Sequence, residues 1–395
     1  MIYYQRNLLI LSATLFLATF SWEQVAPFLP LFLKDLGVTS DLPFWSGLLF
    51  TLQFSAAALM GPFWGKMADK YGRKLMTMRA GLFLSLVYFG MSLCQNYSQL
   101  VALRVLNGIL TGFIPGSIAL IASNTPQNES GRYVSVAYTF RSAGIVVGPA
   151  LGGLLAAVTG YRGSLLVSGT LVFIAFLMVT FFVEEREKPK ISVKTSIWQD
   201  CQSVFKMPVM VTIMSVEFIN AIVTSAFNPI LALHLQKIAP HAAKILSGFT
   251  YSLPGLALFL TAYIWGRIGE KISYARTIII GLTGMSLSAI LLGAVANIWL
   301  FGALYFIFGI FAAAILPSSA ALAATKIDSD FRGRAFAMQQ TARTTGQLIA
   351  PLTSGLIGNY FGLNWIFVCF GSLCFWITLL GIRKQIQSWP QTPSS

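Results

Sequence analysis

SGRYVSVAYTFRSAGIVVGPALGG, residues 130–153, is echoed by RGRAFAMQQTARTTGQLIAPLTSG, residues 332–355. Gly131, Arg132, Arg141, Gly144 and Pro149 of the first stretch correspond to Gly333, Arg334, Arg343, Gly346 and Pro351 of the second, each 202 positions on. Elsewhere Pro27 maps to Pro229 at the same offset, and Gly65 and Asp69 map to Gly266 and Glu270 at 201. Rare residue types recurring at one spacing indicate an internal duplication. The chain is expected to fold as two related halves.

Composition fixes the solvent of those halves. The chain has 395 residues, of which 56% are hydrophobic and 10% charged, with mean hydropathy +0.72. Soluble domains carry about 25% charged residues, so lipid must be the main solvent here. The 34 glycines suit close packing of membrane helices. Cys94, Cys201, Cys369 and Cys374 show no framework spacing, and His234 and His241 are too few for a metal cluster. Neither a disulfide nor a metal site is expected. The net charge of +14 could suggest nucleic acid, but the basic residues fall in short clusters between apolar runs. That is the pattern of a membrane protein. The first apolar stretch is too long for a signal peptide and no small-residue cleavage site follows it, so it is expected to be a retained helix.

A spanning helix needs about 20 mainly apolar residues. Twelve candidates follow, at roughly 8–33, 44–65, 75–94, 98–121, 132–157, 164–183, 208–235, 244–267, 276–295, 298–323, 334–358 and 363–382. Twenty of the 27 Lys and Arg residues fall on one side of this arrangement and four on the other, while Arg104, Arg141 and Arg343 lie inside spans. The bias places both termini in the cytoplasm. Residues 1–183 and 208–395 are expected to form two six-helix bundles, and residues 184–207 a cytoplasmic linker between them. Secondary transporters are built from such halves, with the substrate site between them near the bilayer midplane.

Four motifs then identify a family. GKMADKYGRK (65–74), placed between spans two and three, resembles motif A of the major facilitator superfamily, Gly-x-Leu-Ala-Asp-Arg-x-Gly-Arg-Lys, with Met67 and Lys70 as departures. Gly65 and Gly72 permit a tight turn, and Asp69 suits a helix N-terminus. The resemblance implies that Gly65, Asp69, Gly72 and Arg73 form a gating latch; the plainer alternative is an anchoring loop. LVALRVLNGILTG (100–112) resembles motif B, with Leu100, Arg104 and Gly108 matching and Asn107 in place of Gln. An intramembrane arginine needs a partner. The family gives Arg104 a proton-coupling role; the alternative is an inert ion pair. GIVVGPALGG (144–153) resembles motif C, which in the superfamily marks antiporters and hence exporters. Its Gly144, Gly148, Pro149, Gly152 and Gly153 also serve close helix packing. APFLP (26–30) resembles the Pro-x-x-Pro element of the twelve-helix drug:proton antiporters. Within that branch the chain is most similar to bacterial multidrug exporters whose motif A region reads SPFWGGLADRKGRK; here it reads GPFWGKMADKYGRK.

Only Glu23 and Glu217 of the 13 acidic residues fall within spans. Glu23 lies 17 residues beyond Arg6, roughly 25 Å along a straight helix, and one turn before Pro27. Desolvation favours the protonated form of a carboxylate, which suits loading and release of a proton near physiological pH. By resemblance to drug:proton antiporters, Glu23 would bind protons and cationic substrates in competition. A static ion pair is the alternative. Glu217 is either a second proton site or a group that snorkels to the interface. Arg141 and Arg343 depart from the multidrug pattern: they either neutralise Glu23 and Glu217 or bind an anionic substrate. Trp22, Gln24, Asn220, Asn228, Gln340 and Gln347 would suit the walls of a mixed apolar and polar cavity.

The expected fold class is thus an all-α membrane protein with the major facilitator fold, twelve transmembrane helices in two pseudo-symmetric six-helix bundles. The expected function is proton-coupled export of amphipathic small molecules or drugs by alternating access, as a multi-pass monomer in a bacterial cytoplasmic membrane. The alternatives are transport of an anionic metabolite such as a carboxylate siderophore, in either direction, and a receptor or scaffold without transport. No catalytic residue is expected, since there is no His/Asp/Glu metal cluster, no GxSxG and no phosphate loop. The proton gradient takes the place of a cofactor, and the partners are substrate, protons and lipid, not nucleic acid.

Overall fold

The computed structural model of the chain describes residues 3–126, 129–185, 207–240, 243–327 and 332–382. Cys201, His241, Arg383, Lys384 and most of the expected linker lie outside the described residues.

All regular elements among the described residues are helical. They are α1 (Tyr3–Val25), α2 (Leu29–Asp35), α3 (Leu42–Tyr71), α4 (Arg73–Leu93), α5 (Tyr97–Leu110), α6 (Phe113–Asn124), α7 (Ser130–Phe182), α8 (Pro208–Ala226), α9 (Leu231–Ile238), α10 (Ala243–Ile272), α11 (Tyr274–Leu292), α12 (Ile298–Lys326), α13 (Arg332–Tyr360) and α14 (Leu363–Ile377), the last continued by a π-helical turn at Thr378–Ile382. Ten segments among the described residues are long and apolar enough to cross a membrane. The 53-residue α7 holds two such lengths, divided at Gly160 (φ 73°, ψ 174°). The 29-residue α13 is not among the ten segments, and it carries Arg332, Arg334, Gln339, Gln340, Arg343 and Gln347. Dividing α7 gives eleven such lengths among the described residues, and α13 has the length of a span without the hydropathy.

Several expected continuous spans are broken, and each break has a local cause. The span expected at 8–33 stops at Val25 and resumes at Leu29, with Pro30 in the first turn of α2. Proline removes a backbone donor and fits a first turn but not a helix interior. The span at 208–235 breaks between Ala226 and Leu231, around the repeat-related Pro229. The span at 98–121 breaks at Thr111–Gly112, where Gly112 has φ 127°. Such breaks are tolerated at membrane depth where the freed backbone is buried in protein or lines a cavity.

The chain divides into two compact units: the described residues of Met1–Ser192 with Pro229–Ser252, and those of Val193–Asn228 with Leu253–Ser395. In the first unit α1 packs along α7, α4 packs on α7, and α3 pairs with α5. Its core includes Leu11, Leu15, Phe113, Leu120 and Val179, all 2% exposed or less. In the second unit α8 pairs with α13, and α11 with α12 and α14. Phe227 anchors that core, its ring 4.8 Å from Phe367 and 5.4 Å from Phe308.

The duplication is visible in individual contacts. Trp64 Nε1 donates to the Ile109 carbonyl at 2.6 Å, and Trp265 Nε1 to the Ile310 carbonyl at 2.8 Å, both partners displaced by 201. Asn96 caps α5 by accepting from Gln99 N–H; Asn297, its counterpart, caps α12. A Cβ on Gly144 would meet the Phe16 carbonyl and Phe20 N–H, and one on Gly346 the Phe218 carbonyl and Ile222 N–H. Each pair is again 202 apart. Two halves of one ancestral packing scheme explain these coincidences.

Candidate functional site

Glu23 lies on α1 where that helix meets the motif C stretch of α7. Glycines at four-residue spacing present one bare face of a helix, and here that face holds α1. A Cβ added at Gly148 would come within 2.8 Å of Glu23 Cβ and 2.9 Å of the Phe20 carbonyl. One at Gly152 would come within 2.5 Å of the Gln24 carbonyl. Pro149 and Gly153 turn to another neighbour: a Cβ on Gly248 of α10 would stand 2.9 Å from Gly153 Cα. Motif C is therefore a packing seam on two sides.

The charged neighbour of Glu23 is Arg141, also carried by α7. Arg141 Nε is buried and has no hydrogen-bond partner, and its guanidinium lies 5.8 Å from the Tyr138 ring. Trp22 is half-buried beside Glu23. Gln24 is fully buried and points elsewhere: its Nε2 donates to the Ser164 carbonyl at 3.0 Å and to Ser168 Oγ. The expected substrate-lining role of Gln24 is corrected to a tie between α1 and the second half of α7.

Arg104 is 3% exposed and lies in a polar cluster. Its Nη1 donates to Gln53 Oε1 at 2.6 Å, and Gln53 Nε2 donates to Asn107 Oδ1 at 2.9 Å. The buried Tyr88 lies within electrostatic reach of both Arg104 and Glu23. The hydrogen-bond partner of Arg104 is thus a neutral amide, not the carboxylate that an ion pair would need. Gln53 and Tyr88 were not singled out in the sequence, although a glutamine inside the apolar run at 44–65 was a usable signal.

Motif A differs from the expected loop. Residues 65–71 continue α3, and only Gly72 is non-helical, at φ 99° and ψ 146°. Gly65 is helical with open space around it. Asp69 is exposed in the last turn of α3. The carboxylate at the start of α4 is instead Glu185: its Oε1 accepts from Arg73 N–H at 2.8 Å and its Oε2 from Lys74 N–H at 2.9 Å. An anionic side chain there satisfies orphan donors and complements the helix dipole. Arg73 Nη1 reaches the Ala119 carbonyl at 2.8 Å. Glu184 joins the fold too, paired with Arg6 and bonded through its backbone to Asn7. The first two residues of the expected linker therefore belong to the bundle.

In the second unit, Glu217 is 3% exposed on α8, and its charged neighbour is Arg343 on α13, with Ser319 also beside it. Burial inside the unit removes the snorkelling alternative for Glu217. Asn220 sits one turn along α8, buried, with Oδ1 unpartnered. Gln340, Arg343 and Gln347 follow at helical spacing along one stripe of α13; Gln340 is exposed and Gln347 half-buried. Asn228 lies in the turn after α8, its N–H on the Ser225 carbonyl. Each intramembrane glutamate thus has the arginine of its own half as its charged neighbour, an assignment the sequence left open.

Comparison with known proteins agrees with the fold. The chain is 33% identical over 394 residues to the multidrug resistance protein MdtG of Citrobacter koseri, covering 97% of each chain. It is 33% identical over 387 residues to that of Salmonella arizonae, covering 95% of this chain and 96% of the relative. Among solved structures, a bacterial homologue of the human lysosomal transporter Spinster superposes with TM-score 0.83 at 14% identity, over the whole of both chains. The human organic anion transporter MFSD10 (TETRAN) superposes with TM-score 0.68 at 16% identity, over 96% of this chain and all of that one. The Major Facilitator Superfamily profile matches twice, over residues 11–216 and 213–393. A duplicated, multi-pass helical chain matched by that profile along both halves belongs to the Major Facilitator Superfamily.

Proposed function

We propose that the protein exports amphipathic small molecules in exchange for protons, by alternating access of the halves 1–183 and 208–395. The observation that carries this reading is the position of Glu23. Its Cβ is held against the motif C seam at Gly148, and the half-buried residue has Trp22 and the charge of Arg141 beside it. A carboxylate so placed can hold either a proton or a cationic substrate, and release of one on binding the other is what antiport requires. The naming of the relatives as multidrug resistance proteins supports the same substrate class. Arg104 would tune Glu23 through Tyr88, and Glu217 with Arg343 would form a second charged site in the other half. The protein would sit in the cytoplasmic membrane of a bacterium as a monomer with both termini inside, driven by the proton gradient and needing no cofactor or catalytic residue. Motif A would latch and release during the cycle.

One observation favours a second reading. Arg141 retains a buried N–H without an acceptor, which suits an anionic substrate such as a carboxylate siderophore. Proteoliposomes with an internal pH dye separate the two. Proton flux coupled to cationic amphiphiles, and lost in Glu23→Gln, supports the first reading. Flux coupled to anions alone, and lost in Arg141→Ala, replaces it with the second. Absence of coupled flux with either class would sink both in favour of a non-transporting role.

A further inference from the structure

A cavity of about 380 Å³ lies in the first unit between α3, α4 and the break that separates α5 from α6. It is not the site built around Glu23. Ala57, Gly61, Met76 and Pro115 give it apolar walls, and Trp64, Arg73 and Arg79 also line it. Arg79 is held on two sides. Its guanidinium carbon lies 3.4 Å from the centroid of the Trp64 ring, and Nη2 donates to the Thr111 carbonyl at 3.0 Å. That carbonyl belongs to the break after Leu110.

The rest of the guanidinium is unsatisfied. Arg79 Nε and Nη1 are both buried and have no hydrogen-bond partner. Arginine carries five N–H donors and cannot discard its charge by deprotonation. A buried donor without an acceptor is costly, and more so when charged. Asp69 is the carboxylate on this cavity wall, and it is exposed; with Arg73 and Arg79 on the same wall, positive charge is in excess. A guanidinium immobilised by Trp64 and Thr111 puts a fixed, under-satisfied positive charge in the wall of an apolar cavity, which matches a ligand with an anionic head and a hydrocarbon tail.

We infer that this cavity binds the carboxylate or phosphate head of a single-chain amphiphile, with the head on Arg79 and the tail along the apolar wall. Trp64 positions Arg79 by stacking, a role outside the transport chemistry proposed for Glu23 and Arg141. The test is native mass spectrometry of the full chain in a non-ionic detergent. Probes are dodecyl phosphate, laurate, inorganic phosphate and dodecyltrimethylammonium. Dodecyl phosphate and laurate should bind, with affinity at least tenfold weaker in Arg79→Gln and unchanged in Arg276→Gln, which alters an exposed arginine outside this cavity. Arg79→Lys, which keeps the charge but not the planar fork, should lie between, and it carries the test together with Trp64→Phe where Arg79→Gln does not fold. Inorganic phosphate binding as well as dodecyl phosphate would overturn the amphiphile assignment in favour of a free anion. Binding of the cationic amphiphile that weakens in Arg79→Gln as much as that of laurate, or loss of anion binding in Arg141→Gln but not in Arg79→Gln, would overturn the site itself.

Discussion

Replacing the motif C glycines one at a time by alanine tests whether the α1–α7 seam is as tight as described. The added Cβ would stand 2.5 Å from the Gln24 carbonyl and 2.6 Å from Gln24 Cα at Gly152, 2.8 Å from Glu23 Cβ at Gly148, and 3.0 Å from its nearest atoms at Gly144. Ordinary carbon contacts lie at about 3.5–4.0 Å. At Gly152 the obstruction is backbone, so the helices must separate by roughly 1 Å. Overpacking of this kind costs about 1–3 kcal/mol, and alanine in place of glycine within a helix returns about 0.5–1 kcal/mol. The net expectation is a loss of about 1–2 kcal/mol for Gly152→Ala, less for Gly148→Ala, and little for Gly144→Ala. Gly65→Ala is the control, because open space surrounds that position; it should be neutral or stabilising by up to about 1 kcal/mol. Thermal unfolding in detergent, read by intrinsic fluorescence, ranks the four. Equal midpoints for Gly152→Ala and Gly65→Ala would refute the reasoning.

Other perturbations probe separate parts of the account. Glu185→Gln removes the anionic cap of α4 and should cost about 0.5–2 kcal/mol, with faster amide exchange at Arg73 and Lys74 as its local signature. Ser273, at φ 92° and ψ 135°, occupies the place of Gly72, so Ser273→Gly should stabilise the chain by about 1 kcal/mol or more by removing backbone strain; a lower unfolding midpoint would contradict this. Gln53→Ala takes away the acceptor of Arg104 and should destabilise by about 1–3 kcal/mol, whereas Gln53→Glu, which offers a carboxylate, should restore stability in the same assay.

The parts of this structure that sequence reading reached are those carried by spacing. Offsets of 201 and 202 fixed the duplication, and glycines four apart at 144, 148 and 152 marked the helix face on which α1 lies. The apolar runs located the spans but not their breaks at Gly112 and Pro229, because hydropathy is insensitive to backbone geometry. Glu185 reads as linker in the sequence because its value depends on α4 beginning beside it in space. The matching of Glu23 with Arg141 and Glu217 with Arg343 likewise depends on which helices adjoin. Trp64 and Trp265 stood in plain view at the repeat spacing, yet only their carbonyl bonds revealed why both are tryptophan.

The central claim is that Glu23 exchanges a proton for substrate. Adding a cationic amphiphile to the purified protein in weakly buffered detergent solution, with a pH indicator present, measures that exchange directly. The account predicts proton release on binding in the wild type and binding without release in Glu23→Gln. Undiminished release from Glu23→Gln would contradict it and move the exchange to another carboxylate, with Glu217 the first to be examined.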